Sequence, residues 1–185
     1  MSDIEKLLRF STRQINTVNK AAEISEELVC DYYKLSTSQW LRRRYDIKTI
    51  VNLSTEEIID GPFAQIIKYK AQPKNSSLSS STYDFYKICL QDNSILSVVD
   101  KSSKIKLYPF LLYIITHELV HIVRFSEFLQ NFSASYEEKM AEEARVHYNT
   151  HEILKSTKLN GLSNVFKFYD KWRIPLDELQ YDSHD

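Results

Sequence analysis

The stretch YPFLLYIITHELVHIVRF, residues 108–125, constrains the fold most, because it is apolar around almost its whole helical circumference. A helix with apolar side chains on every side must be buried, either inside a protein or in a membrane. Its uninterrupted apolar run, Phe110 to Ile115, is short for a membrane span, and the two histidines and the glutamate that follow would be costly in hydrocarbon. The sequence therefore predicts a central buried helix that starts near Pro109 and runs to about Gln130.

The segments before this helix predict helices and then strands. The first sixty residues have apolar side chains at roughly helical spacing, with two capping-box patterns that join Ser2 to Glu5 and Ser36 to Gln39. After Gly61-Pro62, residues 63–72 and 84–100 are rich in β-branched and aromatic side chains. A hairpin turn over residues 91–94 would then separate a second from a third strand. We expect a small antiparallel sheet here.

The segments after the central helix predict more helix. Ser135 and Glu138 form another capping box, which opens a helix that we expect to end near Asn160-Gly161, where glycine supplies a left-handed cap. A short helix over residues 162–172 follows. The order of elements predicts an α+β domain.

The central helix also carries the motif HELVH, in which His117 and His121 lie four residues apart and Glu118 follows the first histidine. Residues at i and i+4 lie one above the other on a helix, so both imidazoles can direct a nitrogen at one point, as a tetrahedral zinc site requires. Glu118 projects about 100° around the helix, beside the metal and not onto it. A carboxylate there can take a proton from a zinc-bound water and deliver it to the leaving amine, which is the task of a catalytic general base.

The alternative is an accidental motif whose side chains form a structural cluster without a metal. An accidental motif would usually lie on a solvated helix face, whereas this segment is apolar nearly all round. Two histidines and a glutamate buried without a partner would be costly. The burial therefore favours a metal partner, and Zn²⁺ is the predicted cofactor.

The third protein ligand must come from another segment, because a catalytic zinc site has three protein ligands and one open position. The candidates in residues 135–154 are Glu142, Glu143 and His147. At 100° per residue, Glu143 falls on the stripe that we expect to face inward, whose other members are Tyr136, Met140, His147, His151 and Leu154. Glu143 is the predicted ligand, and Glu142 and His147 stay open as alternatives.

Four further side chains could assist the site without binding the metal. His147, and less so His151, could orient a ligand or stabilise an oxyanion, as neighbours of zinc ligands do. Tyr148 or Tyr169 could donate a hydrogen bond to an oxyanion, although ordinary packing is the simpler role for both. The sequence assigns no catalytic tyrosine.

HELVH, preceded by a small sheet and followed by a glutamate-bearing helix, resembles the zincin metallopeptidases, and more narrowly the gluzincin type with HExxH and a downstream glutamate. The resemblance covers about residues 63–155. The longer metzincin pattern is not followed, since Arg124 and Glu127 stand where it has glycine and histidine. The resemblance implies zinc as cofactor, hydrolysis of peptide bonds, and a strand edge that pairs with an extended peptide substrate.

The predicted organisation is one zincin-like metallopeptidase domain over residues 1–185, with a helical N-terminal region (1–60), a metal-site core (63–155) and a tail (174–185). The predicted function is that of a small metalloprotease acting on a peptide or protein substrate. The alternative is a regulatory or binding protein that keeps the metal without general proteolysis. An intact Glu118 favours the enzyme, since a purely structural site has no use for a base.

Composition narrows the partners and the compartment. The formal charge of −1 gives no general attraction to nucleic acid or to anionic lipid, so neither is an expected partner. Cys30 and Cys89 have no metal-ligand or disulfide-framework spacing, and the N-terminal residues have no secretory pattern. We expect a cytoplasmic protein. The sequence does not reveal its oligomeric state.

Overall fold

The computed structural model describes residues 6–71, 83–127 and 135–172, and over these ranges the chain is α+β. The helices are α1 (Thr12–Tyr33), α2 (Thr37–Leu41), α3 (Asp92–Lys101), α4 (Leu107–Ser126), α5 (Tyr136–Leu154) and α6 (Leu162–Phe168). The strands are β1 (Arg44–Lys48), β2 (Ala64–Ala71) and β3 (Tyr83–Leu90), and short 3-10 turns cover Ile50–Asn52, Thr55–Glu57 and Asp170–Trp172.

The three strands form one mixed sheet in the order β1-β3-β2. β2 runs antiparallel to β3, whereas β1 runs parallel to it. The expectation of an antiparallel sheet was therefore wrong for one of its two strand pairs. It failed because β1 lies in the N-terminal region that was predicted to be helical throughout, and its pairing with β3 is a long-range contact.

The predicted third strand and its hairpin turn over residues 91–94 are also wrong, because this segment forms α3. A short apolar run fits either a strand or a buried helix, and the tertiary contacts decide between them. The buried Asp92 carboxylate accepts hydrogen bonds from the backbone N–H of Phe10 at 3.0 Å and of Ile50 at 3.1 Å. These bonds join the start of α3 to two N-terminal segments, and Ile95 and Leu96 then enter the core.

The N-terminal region contains one confirmed capping box and two that were not predicted, one of which joins Ser54 and Glu57 at the turn Thr55–Glu57. Ser36 and Gln39 cap α2 reciprocally, as predicted. α1 begins at Thr12, where Ser11 and Gln14 form the same arrangement. The predicted box of Ser2 and Glu5 lies outside the described residues.

α4 is the central element of the fold, as its sequence predicts. Every residue from Pro109 to Arg124 is buried, and α1 and α5 pack against the helix together with the sheet. Ser25 of α1 makes polar contacts with α4: its hydroxyl donates to the Leu112 carbonyl oxygen at 3.4 Å and accepts from Thr116 Oγ1 at 3.0 Å. None of the helices in the described parts of the chain combines the length and the apolar character needed to cross a membrane.

α5 starts as predicted and ends earlier. Ser135 and Glu138 form the expected capping box. The helix stops at Leu154, and Gly161, at φ +92°, precedes α6 instead of closing α5. The predicted inward stripe is also wrong at its N-terminal end, because Tyr136 and Met140 are exposed. Helical periodicity shows which residues share a face, whereas the packing of other elements decides how far along the helix that face is covered. The predicted tail lies outside the described residues.

Candidate metal centre

His117 and His121 lie on consecutive turns of α4, and their ring nitrogens meet. The two Nε2 atoms are 3.2 Å apart, and both side chains are buried. The spacing of four residues on a helix brings the rings together, and packing around α4 keeps them from rotating into solvent. The motif therefore brings two imidazole nitrogens together within one helix, which is the arrangement that a chelating pair requires.

Glu143 on α5 reaches this pair from the opposite side. Its Oε1 lies 2.9 Å from His117 Nε2, and its Oε2 lies 3.1 Å from His121 Nε2. Glu142 points elsewhere, since it forms ion pairs with Arg124 of α4 and, at 3.0 Å, with Arg145. Of the two neighbouring glutamates, only Glu143 contacts the histidines.

The donor set fits a zinc ion. Tetrahedral zinc with bonds of about 2.0–2.1 Å keeps its ligand atoms about 3.3 Å apart. The two histidine nitrogens are 3.2 Å apart, and each contacts a different oxygen of the Glu143 carboxylate, at 2.9 and 3.1 Å. Imidazole nitrogen and carboxylate oxygen are both ordinary zinc ligands. Burial lowers the pKa of His117 to about 4, so its ring is neutral near pH 7, which is the form that binds a metal. His117, His121 and Glu143 are therefore able to hold zinc.

The cluster also perturbs its two glutamates in opposite directions. Burial raises the pKa of Glu143, but the charges and hydrogen bonds of the surrounding histidines outweigh this and hold that pKa well below its usual range. Burial raises the pKa of Glu118 to about 7. No hydrogen-bond donor among the described residues contacts the Glu118 carboxylate, which lines the cavities next to the cluster. Glu143 is thus held as a carboxylate, and Glu118 can exchange a proton.

His147 stands one turn after Glu143 and joins the cluster from the side. Its Nε2 lies 3.5 Å from Glu143 Oε1, and the ligand atoms of His117, Glu143 and His147 all lie within 4.8 Å of one another. The other ring nitrogen, Nδ1, is hydrogen-bonded to the Tyr113 hydroxyl at 2.9 Å. Tyr113 therefore orients His147 toward the carboxylate.

Tyr113 was missed by the sequence reasoning, although a signal was present. It lies four residues before His117 and thus on the same face of α4. Tyr169, one of the two tyrosines considered, lines the cavity beside the cluster, whereas Tyr148 is not among the residues that line it. His151 packs its ring on Phe166, with centroids 4.5 Å apart, and is not part of the cluster.

The cluster lies in a cleft that extends along α4 in both directions. A cavity of about 500 Å³ opens toward Tyr113 and Ile114, and another of about 410 Å³ opens toward His121 and Phe125. Residues that line both are Pro62, Ala64, His117, Glu118 and Glu143. The start of β2 therefore forms one wall of the cleft, directly beside the two histidines.

β2 is an edge strand whose outer side is unpaired in the described structure. The N–H of Gln91 donates to the carbonyl oxygen of Phe63 at 2.8 Å. Phe63 and Gln91 therefore form a hydrogen-bonded pair, and the backbone groups of Phe63 point toward β3. Hydrogen-bonded and non-hydrogen-bonded pairs alternate along an antiparallel ladder. The backbone groups of Ala64, Ile66 and Lys68 therefore point away from β3. Free donors and acceptors thus run along the cleft.

The structure brings the predicted residues His117, Glu118, His121 and Glu143 to one place, with the suggested neighbour His147 beside them. Sequence patterns alone did not indicate the aromatic residues of α6 and of the turn Asp170–Trp172 that complete the cleft. Comparisons with protein-family models, with curated proteins and with solved structures found no match for this chain.

Proposed function

We propose that the chain is a zinc-dependent peptidase of the zincin type, with His117, His121 and Glu143 as the zinc ligands and Glu118 as the general base. One observation carries the proposal: two neighbouring histidines of a buried helix and a glutamate of the next helix converge within 2.9–3.2 Å, and a second carboxylate beside them has no hydrogen-bond donor in the described parts of the chain. A purely structural site has no need of that second carboxylate.

A zinc ion held by these three side chains would keep one coordination position open for a water or a substrate group. Zinc bound there would lower the pKa of a coordinated water and polarise the carbonyl of the scissile peptide. Glu143, held as an anion, would balance part of the metal charge. His147 and Tyr113 would fix the orientation of the Glu143 carboxylate.

Glu118 would carry the proton. Its carboxylate lines the cleft on both sides of the cluster and has no competing hydrogen-bond donor in the described structure. It can accept a proton from the attacking water and then deliver it to the nitrogen that leaves. Its place next to His117 in the helix keeps it beside the metal ligands without making it one of them.

The free edge of β2 would bind the substrate backbone. An extended peptide added to this edge would pair with the outward N–H and C=O groups of Ala64 and Ile66. Ala64 also lines both cavities with His117 and Glu118, so a peptide held there would pass next to the cluster. Backbone pairing does not depend on the side chains of the substrate, so a peptidase can use it to bind peptides of different sequence.

A second candidate function is a regulatory or binding protein with a closed metal site. The observation that favours it is His147, whose Nε2 is 3.5 Å from Glu143 and could become a fourth ligand. Zinc with four protein ligands is structural, whereas a catalytic site keeps one position open. Replacement of zinc by cobalt distinguishes the two candidate functions. A metal-bound water that exchanges with solvent is measurable only if one coordination position is open.

The Glu118→Gln variant tests the proposed function. We expect it to bind one zinc per chain, like the wild type, and to lose cleavage of a peptide library measured by mass spectrometry. Glu152→Gln is the matched control, because Glu152 pairs with Lys155 at the surface and should leave both properties unchanged. Cleavage by Glu118→Gln at the wild-type rate would refute the role of the base, and zinc binding without any cleavage by the wild type would favour the second candidate.

We also propose that the protein is cytoplasmic. Cys30 and Cys89 are both free thiols, and Cys89 is fully buried. Unpaired cysteines are typical of reducing compartments. Fractionation of cells that express the tagged chain tests this location.

A further inference from the structure

The cavity at the Tyr113 end of the cleft has walls that are mainly aromatic. It measures about 500 Å³, and its apolar lining includes Phe63, Tyr113, Ile114, Phe168, Tyr169 and Trp172. These side chains come from three separate parts of the fold: the start of β2, the middle of α4, and α6 with the turn after it. His117 and Glu118 form the end of the cavity at the cluster.

We propose that this cavity binds a bulky aromatic or branched apolar side chain of the substrate, at a position next to the scissile bond. The inference rests on the proposed function for its link to cleavage, but the binding of the side chain is a property of the cavity itself. The volume lies in the range of pockets that enclose small ligands, and apolar walls with few polar groups are typical of them.

The walls are held in place by contacts among the rings. Tyr113 and Tyr169 stack with centroids 4.2 Å apart, and Phe63 packs edge-on against Phe110 at 5.0 Å. Phe168 in turn packs edge-on against Tyr169 at 5.0 Å. Because each ring is fixed by another, the cavity is already formed before a ligand enters, and binding does not have to order its walls.

The cavity offers little to a negatively charged side chain. Among the described residues of its lining, the carboxylates are Glu118 and Glu143, and the lysine is Lys171, whose ammonium lies 5.6 Å from the centre of the Trp172 ring. An aspartate side chain of the substrate would lose hydration between apolar rings and would approach the two carboxylates. The lining therefore selects against negative charge and for apolar surface.

Two rings at the mouth remain partly exposed. Phe168 is 38 % and Trp172 is 42 % accessible, although both belong to the wall of the cavity. Exposed aromatic surface at the rim of a pocket is typical of a binding site, because a ligand covers it. Trp172 is also one of only two tryptophans in the chain, which makes it a fluorescent reporter of occupancy.

The test uses zinc-free protein, so that its outcome does not depend on the metal. In a Trp40→Phe variant Trp172 is the only indole, and its emission is followed while N-acetyl-phenylalaninamide, N-acetyl-alaninamide or N-acetyl-aspartamide is added. We expect the phenylalanine probe to bind about tenfold to hundredfold more tightly than the alanine probe, from the apolar surface that the benzyl group buries. The aspartate-derived probe should bind no better than alanine.

Two variants separate the cavity from unspecific adsorption. Phe168→Ala removes part of the wall and should weaken the phenylalanine probe at least fivefold, whereas Leu41→Ala, at a remote and 70 % exposed position, should leave its affinity unchanged. Calorimetry on the unsubstituted chain should give the same ratio of affinities for the phenylalanine and alanine probes. Agreement would show that the Trp40→Phe substitution has not disturbed the cavity. Equal affinities for the phenylalanine and alanine probes, or no effect of Phe168→Ala, would overturn the proposal. Loss of activity in Glu118→Gln tests the proposed function separately.

Discussion

Exchange of Glu143 for glutamine provides the most direct test of the metal centre. The substitution keeps the shape of the side chain and one acceptor oxygen but removes the negative charge between His117 and His121. Zinc sites with four protein ligands bind with about 10–16 kcal/mol, or about 2.5–4 kcal/mol for each ligand, and each 1.4 kcal/mol is tenfold in affinity. We therefore expect Glu143→Gln to bind zinc about 10²- to 10³-fold more weakly.

Glu142→Gln is the matched control because the two glutamates are neighbours in α5 with different partners. Glu142 pairs with Arg124, whose side chain is only 10 % exposed, so the substitution leaves a buried guanidinium without a countercharge. Breaking a buried pair costs about 3–5 kcal/mol, and glutamine retains one acceptor, so we expect about 3 kcal/mol. In a chain of this length that lowers Tm by about 6–12 °C. Zinc affinity should change by less than about threefold.

The assays are a competition titration with a zinc-binding dye and thermal unfolding of the zinc-free proteins. We expect Glu143→Gln to lose metal with a change in zinc-free stability of no more than about 1 kcal/mol, since its side chain is 36 % exposed. Glu142→Gln should lose stability and keep metal. A large loss of zinc affinity in Glu142→Gln alone would refute the assignment of Glu143, and a loss in neither variant would transfer the role of third ligand to His147.

Three further predictions concern stability. Asp92→Ala should destabilise the fold by about 2–5 kcal/mol in urea unfolding, because the buried N–H groups of Phe10 and Ile50 lose their acceptor; a loss below about 1 kcal/mol would contradict the reasoning. Gly161→Ala and Gly61→Ala should each cost about 1–2 kcal/mol, since both glycines have positive φ, and wild-type stability in both variants would show that the strain is relieved. A chelator should lower the Tm of the zinc-loaded wild type by several degrees, whereas an unchanged Tm would exclude a metal linked to folding.

Features that depend on a single segment could be predicted from the sequence. The buried helix with HELVH follows from its apolar circumference, and the capping boxes at Ser36 and Ser135 follow from side chains three residues apart. The contact between His117 and His121 is of the same kind, because the helical repeat alone brings residues i and i+4 together. In each case the partners are close in the chain, so no knowledge of the packing is needed.

The phase of α5 is an intermediate case. Helical periodicity favoured Glu143 over Glu142, and in the structure Glu143 contacts the histidines. The same periodicity placed Tyr136 and Met140 inside, where they are not. Periodicity indicates which residues share a face, but the packing of other elements decides how much of that face is covered.

Tertiary structure alone decided the rest. β1 pairs in parallel with a strand about forty residues later, and α3 replaces an expected strand because Asp92 binds backbone groups of two distant segments. The aromatic cavity likewise needs β2, α4 and α6 at once. A local sequence pattern carries no information about such contacts, since their free energy arises only when elements far apart in the chain are packed together. The sequence thus determined the chemistry of the HELVH helix, and the packing of distant elements determined its third partner, its cleft and the shape of the pocket beside it.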